Sequence, residues 1–170
     1  MTGRELAVAL ALVLVAVVAQ TTLFAPDRIQ PLGASPNIVL LAVIATVRYL
    51  EPEAGLLTGF TAGLLVDSLG VSPLGLWAMV GSVVAYLTLR FRDRAEDGPV
   101  VVGAGVFVLT IIGIVLYVLV ATLFGQRTLS DPALIKKIVL PGIYNVILAA
   151  AVLPGVTLAM GHRRVRGWAT

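Results

Sequence analysis

An all-α bundle of six membrane-spanning helices is the fold this sequence predicts, and three observations predict it. The composition is too apolar for water, short proline-bearing or polar turns cut the chain into six apolar runs, and arginines and lysines gather at alternate ends of those runs. Of the 170 residues, 59% are hydrophobic and 12% are charged, with a mean hydropathy of +1.03; an ordinary soluble domain carries about 25% charged residues. The polar residues available could not cover a core of this size, so the bilayer is the expected solvent. One domain is expected from the length. Cysteine is absent, which excludes a disulfide framework and a thiolate metal site.

A helix needs about 20 apolar residues to cross the hydrocarbon, fewer where its ends snorkel. The first run, 6–24, is broken only by Gln20 and the threonines after it. Ala16-Val-Val-Ala-Gln20 resembles a small-residue cleavage site, but the apolar run is longer than the 7–15 residues of a signal peptide, so it is expected to stay as a span. The second run, 36–50, opens with Pro36, which suits a first helical turn because its missing N–H costs nothing there. The third is 53–69, entered through Glu51-Pro52. The fourth, 74–89, follows the turn 68–73, and Pro73 opens it. The fifth is 100–124 and the sixth 134–160. Runs two to four are short, so either they tilt little or they pack inside the bundle, where strict lipid matching is relaxed.

Orientation follows the distribution of Lys and Arg. With the N-terminus inside, Arg4, Arg48, Arg90, Arg92, Arg94, Arg163, Arg164 and Arg166 fall on the cytoplasmic side, against Arg28, Arg127, Lys136 and Lys137 outside. Both termini are therefore expected in the cytoplasm, with Arg90, Arg92, Arg94, Arg163, Arg164 and Arg166 as membrane-edge anchors. Trp168 suits the interface beside that tail, and the lone histidine, His162, is assigned no role.

Gln20, Asn37, Asp67 and Asn145 interrupt the apolar runs, and in this orientation all four lie in the outer half of the membrane. An unpaired amide or carboxylate in hydrocarbon is costly. One expectation is that they face inward as a single polar cluster, with Tyr144 nearby. The other is that Gln20 and Asn37 sit among headgroups and that Asp67 opens a solvated turn, since Asp-Ser-Leu-Gly is good turn chemistry.

Gly55, Gly59 and Gly63 recur every four residues and leave a smooth groove on one helix face, ending at Asp67. Small residues at this spacing let another helix approach closely. That helix is either a neighbour in the same chain or part of a partner subunit. Catalytic constellations are missing: there is no phosphate-binding glycine loop, no Ser/His/Asp set at membrane depth and no His-Glu-x-x-His helix. Asp67 is the only carboxylate deep in a run, where an intramembrane aspartyl protease needs two. No enzyme activity, cofactor or metal is expected, and nothing offers a nucleic-acid platform.

Gln20-Thr-Thr-Leu, Ser35-Pro-Asn-Ile-Val-Leu-Leu41, Gly59-Phe-Thr-Ala-Gly-Leu-Leu-Val-Asp67, Leu74-Gly-Leu-Trp77 and Tyr144-Asn145 together resemble the rod shape-determining protein MreD family, most specifically over residues 35–78. The resemblance implies a non-enzymatic inner-membrane component of the lateral cell-wall synthesis machinery. It implies association with MreC and, directly or indirectly, with the MreB filament, the glycosyltransferase RodA and its transpeptidase, as well as with membrane lipid. It also implies a fold similar to the six-helix substrate-capture subunits of energy-coupling-factor transporters, which makes ligand capture for such a transporter the alternative function. The expected mechanism is scaffolding, with the glycine groove or an outer cleft near Asp67 offered to MreC.

Overall fold

A computed structural model describes residues 3–24, 28–70, 73–92 and 98–161. Six α-helices run in sequence: α1 Gly3–Leu23, α2 Ile38–Val47, α3 Pro52–Leu69, α4 Leu76–Phe91, α5 Pro99–Leu123 and α6 Leu134–Met160. Short 3-10 turns, Pro31–Gly33 and Thr128–Ser130, lie in the α1–α2 and α5–α6 connections. No strand occurs among the described residues.

The shortest helix is the centre. Nine of the ten residues of α2, Val39 through Val47, are buried, and α2 packs against all five other helices. A helix that is apolar all round belongs inside a structure, and α2 is apolar except for Thr46, whose hydroxyl bonds back to Ala42 O at 2.7 Å. On one side Leu40, Leu41 and Ile44 meet Leu76, Val80 and Val84 of α4, Val106, Leu109 and Ile114 of α5, and Ala149 of α6. On the other, Val39, Val43 and Val47 meet Val13 and Val17 of α1 together with Ala62, Ala85 and Leu89. A third cluster joins Ala9, Ala45, Tyr49, Leu50, Ala54, Val156 and Met160 at the opposite end. The outward faces are apolar as well: Val15, Leu123, Ile135, Ile147 and Leu158 are all exposed.

Among the described residues, α1, α5 and α6 are long and apolar enough to cross a membrane. At 1.5 Å per residue, α2 covers about 15 Å, roughly half the hydrocarbon thickness. Its boundaries depart from the expected span 36–50. Pro36 is outside the helix, because Asn37 is the N-cap and its side chain accepts a hydrogen bond from Leu40 N at 3.1 Å. Past Val47 the chain tightens, with Tyr49 N donating to Thr46 O and Leu50 N to Val47 O, each at 3.0 Å. The helix expected at 74–89 begins at Leu76, two residues later, because Gly75 adopts φ 94° and breaks the helical run. Helices α3, α5 and α6 lie within a residue of their expected bounds; α6 continues through Pro141 and Pro154.

Candidate functional site

Among the described residues, helices α3 and α4 pack backbone against backbone, and glycine makes it possible. A Cβ on Gly59 would collide with Gly81 O and stand 2.6 Å from Ala85 Cβ. One on Gly63 would enter the Trp77 carbonyl and Ala78 N, and one on Gly81 would strike Gly59 O. Gly55 is roomier, since its Cβ would meet only side chains, Val47 Cγ1 at 3.0 Å and Leu89 Cδ1 at 3.1 Å. The glycine face is therefore filled from within the chain by α4. Of the two neighbours expected for it, the structure places a helix of the same chain there. Sequence reasoning missed the other half of this seam, Ala78, Gly81 and Ala85. The signal was there, in small residues three and four positions apart on α4.

Where this seam ends, Asp67 turns from α3 to the start of α4. Its Oδ2 accepts from Gly75 N at 2.9 Å and Ala78 N at 3.2 Å, and its Oδ1 accepts from Trp77 N at 3.2 Å. The first N–H groups of a helix lack partners inside it, and Gly75 has no side chain to act as a cap. Asp67, 3% exposed, supplies that cap from the neighbouring helix, with its acceptor oxygens at the positive end of the α4 dipole. Asp67 is thus in a buried, bonded position rather than a solvated turn.

The other three polar groups meet at the start of α2. Gln20 Oε1 accepts from Ile38 N at 2.8 Å and Asn37 Oδ1 from Leu40 N. Asn145, fully buried, donates through Nδ2 to Asn37 O at 2.8 Å and to Thr110 Oγ1 at 3.1 Å. Helices α1, α2, α5 and α6 are tied together there. Tyr144 points elsewhere, its hydroxyl donating to Pro31 O at 2.8 Å. No hydrogen bond among the described residues joins Asp67 to this group. Trp77, whose N–H Asp67 accepts, stacks its ring on Tyr117 with centroids 4.4 Å apart and planes 22° apart, and both line the same cleft as Gln20 and Asn37. Thr110 and the Trp77–Tyr117 stack were missed, because a threonine or an aromatic in an apolar helix has no distinguishing pattern.

A cleft of 540 Å³ opens between this α2 knot and the α5–α6 connection, lined by Gln20, Asn37, Trp77, Tyr117, Asp131 and Lys137 among others. Asp131 Oδ1 accepts from Ala133 N at 2.8 Å, and Lys137 Nζ bonds its Oδ2. The Lys137 hydrogen bond first, then the Ala133 N–H, holds the Asp131 carboxyl below the usual carboxylate range.

At the opposite end, the expected anchors divide. Arg90 is exposed. Arg92 is 7% exposed and donates from Nη1 to Leu50 O at 2.9 Å, tying the end of α4 to the turn after α2. It acts as an internal brace rather than a headgroup anchor, because the carbonyls past the end of α2 need a donor. Arg94, Arg163, Arg164 and Arg166, like His162 and Trp168, lie outside the described residues. No metal-holding group of His, Cys, Asp or Glu occurs among the described residues.

No curated protein and no solved structure is significantly similar to this chain. The family model described as rod shape-determining protein MreD, however, matches residues 3–160. That match spans all six helices, the α3–α4 glycine seam, the Asp67 cap and the polar knot at α2, and the chain belongs to the rod shape-determining protein MreD family.

Proposed function

We propose that this membrane protein serves rod-shape determination as a non-enzymatic scaffold of the lateral peptidoglycan machinery, acting through association with MreC. The family match over residues 3–160 carries the reading. The geometry agrees with it in one respect. Asp67 and Asn145, the polar groups most deeply buried of the four, are engaged in holding helices to one another. An architectural task asks for such a rigid body.

In this reading all six helices lie in the bacterial inner membrane with both termini cytoplasmic, the short α2 being enclosed by its neighbours. The partner surface lies on the outward faces or at the ends of the bundle, since α4 occupies the glycine groove. RodA, its transpeptidase and the MreB filament join directly or through MreC. Affinity purification of the tagged protein from native membranes in mild detergent, followed by mass spectrometry, tests this. Recovery of MreC with the elongation synthase is expected. Recovery of paired ATPases with a coupling membrane subunit would replace the scaffold by transporter ligand capture.

A further inference from the structure

The 540 Å³ cleft holds several side-chain donors that lack acceptors. Gln20 and Asn37 use their amide oxygens on Ile38 N and Leu40 N. Those partners are N–H donors, so the oxygen must face them and the NH2 ends are left over. Neither NH2 group, nor the Trp77 indole N–H, nor the Tyr117 hydroxyl, finds an acceptor among the described residues, and all four side chains line the cleft. Lys137 adds an ammonium with N–H groups beyond the one given to Asp131. The one carboxylate present, Asp131, already accepts on both oxygens and has Lys137 as its counter-charge. The cleft therefore offers donors in surplus and no free carboxylate. Polar groups half out of water and lacking partners are unfavourable unless water or a ligand completes them.

Gln30, Ser35 and Thr128 add further polar groups to the lining, and Ile114, Val118, Leu134, Ile138 and Pro141 supply apolar walls. The positive ends of the α2 and α6 dipoles lie beside it, with Asn37 and Leu134 in its lining. A donor-rich mouth, whose one cation is paired with Asp131 but keeps further N–H groups, beside apolar walls fits a molecule with many oxygen acceptors at one end and hydrocarbon at the other. We infer that the cleft between α2 and the α5–α6 connection binds the phosphate-bearing headgroup of a membrane lipid. Gln20, Asn37, Tyr117 and Lys137 donate to its oxygens, and Trp77 flanks it. The site rests on the embedding of the bundle in a membrane and is independent of any partner protein.

The test exploits the two helix caps. Gln20→Glu with Asn37→Asp keeps both capping oxygens, and with them α2, but replaces both NH2 groups by carboxylate oxygens facing the cleft. The purified full chain is titrated with phosphatidylglycerol in detergent and read by native mass spectrometry. The double variant is expected to bind about tenfold more weakly than the parent, the loss of a few hydrogen bonds to a charged group, at unchanged thermal stability. Tyr117→Phe, which keeps the stacked ring, should lose severalfold and stands as a second readout if the double variant fails to fold. Diacylglycerol, with the same chains and no phosphate, should bind far less. Millimolar inorganic phosphate displacing the lipid would assign the same donors to a soluble phosphate compound. Equal phosphatidylglycerol retention by parent, double variant and Tyr117→Phe would overturn the site, as would equal binding of diacylglycerol.

Discussion

Gly59 and Gly81 face each other across the α3–α4 seam so closely that a Cβ on either would run into the other's carbonyl oxygen. Neither backbone can yield alone, because Gly63 meets the Trp77 carbonyl one turn further along. The seam behaves as a unit, and its disruption is a packing event rather than the loss of a partner groove.

Gly59→Ala and Gly81→Ala should each destabilise the protein by about 2 kcal/mol or more, as overpacking of a close contact does. Gly55→Ala should cost clearly less, since only the ends of Val47 and Leu89 must shift. Thermal unfolding in detergent checks the order. Gly59→Leu should lower recovery of MreC only in proportion to the folded protein remaining; specific loss of MreC from a fully folded variant would show that the seam is reached by a partner after all.

Removing the Asp67 carboxylate leaves three N–H groups at the start of α4, those of Gly75, Trp77 and Ala78, without this acceptor, the last of them buried. Asp67→Ala should therefore cost about 1–3 kcal/mol, and Asp67→Asn less, because it keeps one oxygen. Hydrogen exchange localises the effect: the amides of Gly75, Trp77 and Ala78 should lose protection before the rest of α4. Uniform loss along the bundle would contradict a local cap.

The Asn145–Thr110 bond joins α6 to α5 in the apolar interior. A double-mutant cycle with Asn145→Ala and Thr110→Val should give a coupling of about 0.6 kcal/mol, as for comparable bonds between membrane helices. Asn145→Ala alone should cost more than the coupling, because it also frees Asn37 O.

The Asp131–Lys137 pair sets a pH dependence whose sign is determined. The folded-state carboxyl is held down by Lys137 and Ala133 N–H, so folding favours its ionised form. Its contribution is present above the ordinary carboxylate pKa of about 4 and disappears as pH falls through the depressed folded value. The stability curves of the parent and of Asp131→Asn should therefore differ at neutral pH and converge in strong acid. The difference should shrink with added salt, since the pair faces solvent.

Hydropathy and turn chemistry were enough to read six helices and most of their ends. α3, α5 and α6 could be placed within a residue because Pro52, Pro99 and the polar stretch before Leu134 mark their starts locally. The starts of α2 and α4 were harder, because in both a side chain settles the matter: Asn37 caps its own helix, and Asp67 caps a helix eight or more residues further along.

The residues of this chain determined by themselves that its solvent is apolar, that its backbone is helical, and that the face of Gly55, Gly59 and Gly63 suits close approach of another helix, while Asp67 could equally have opened a solvated turn. Which partner each one meets was decided only by the tertiary structure. When the inside and the outside of a bundle are both hydrocarbon-like, hydropathy has no contrast left to mark the inner face. The identity of Gly81 opposite Gly59, of the α4 N–H groups opposite Asp67, and of the short α2 as the centre emerged only when the helices were placed side by side.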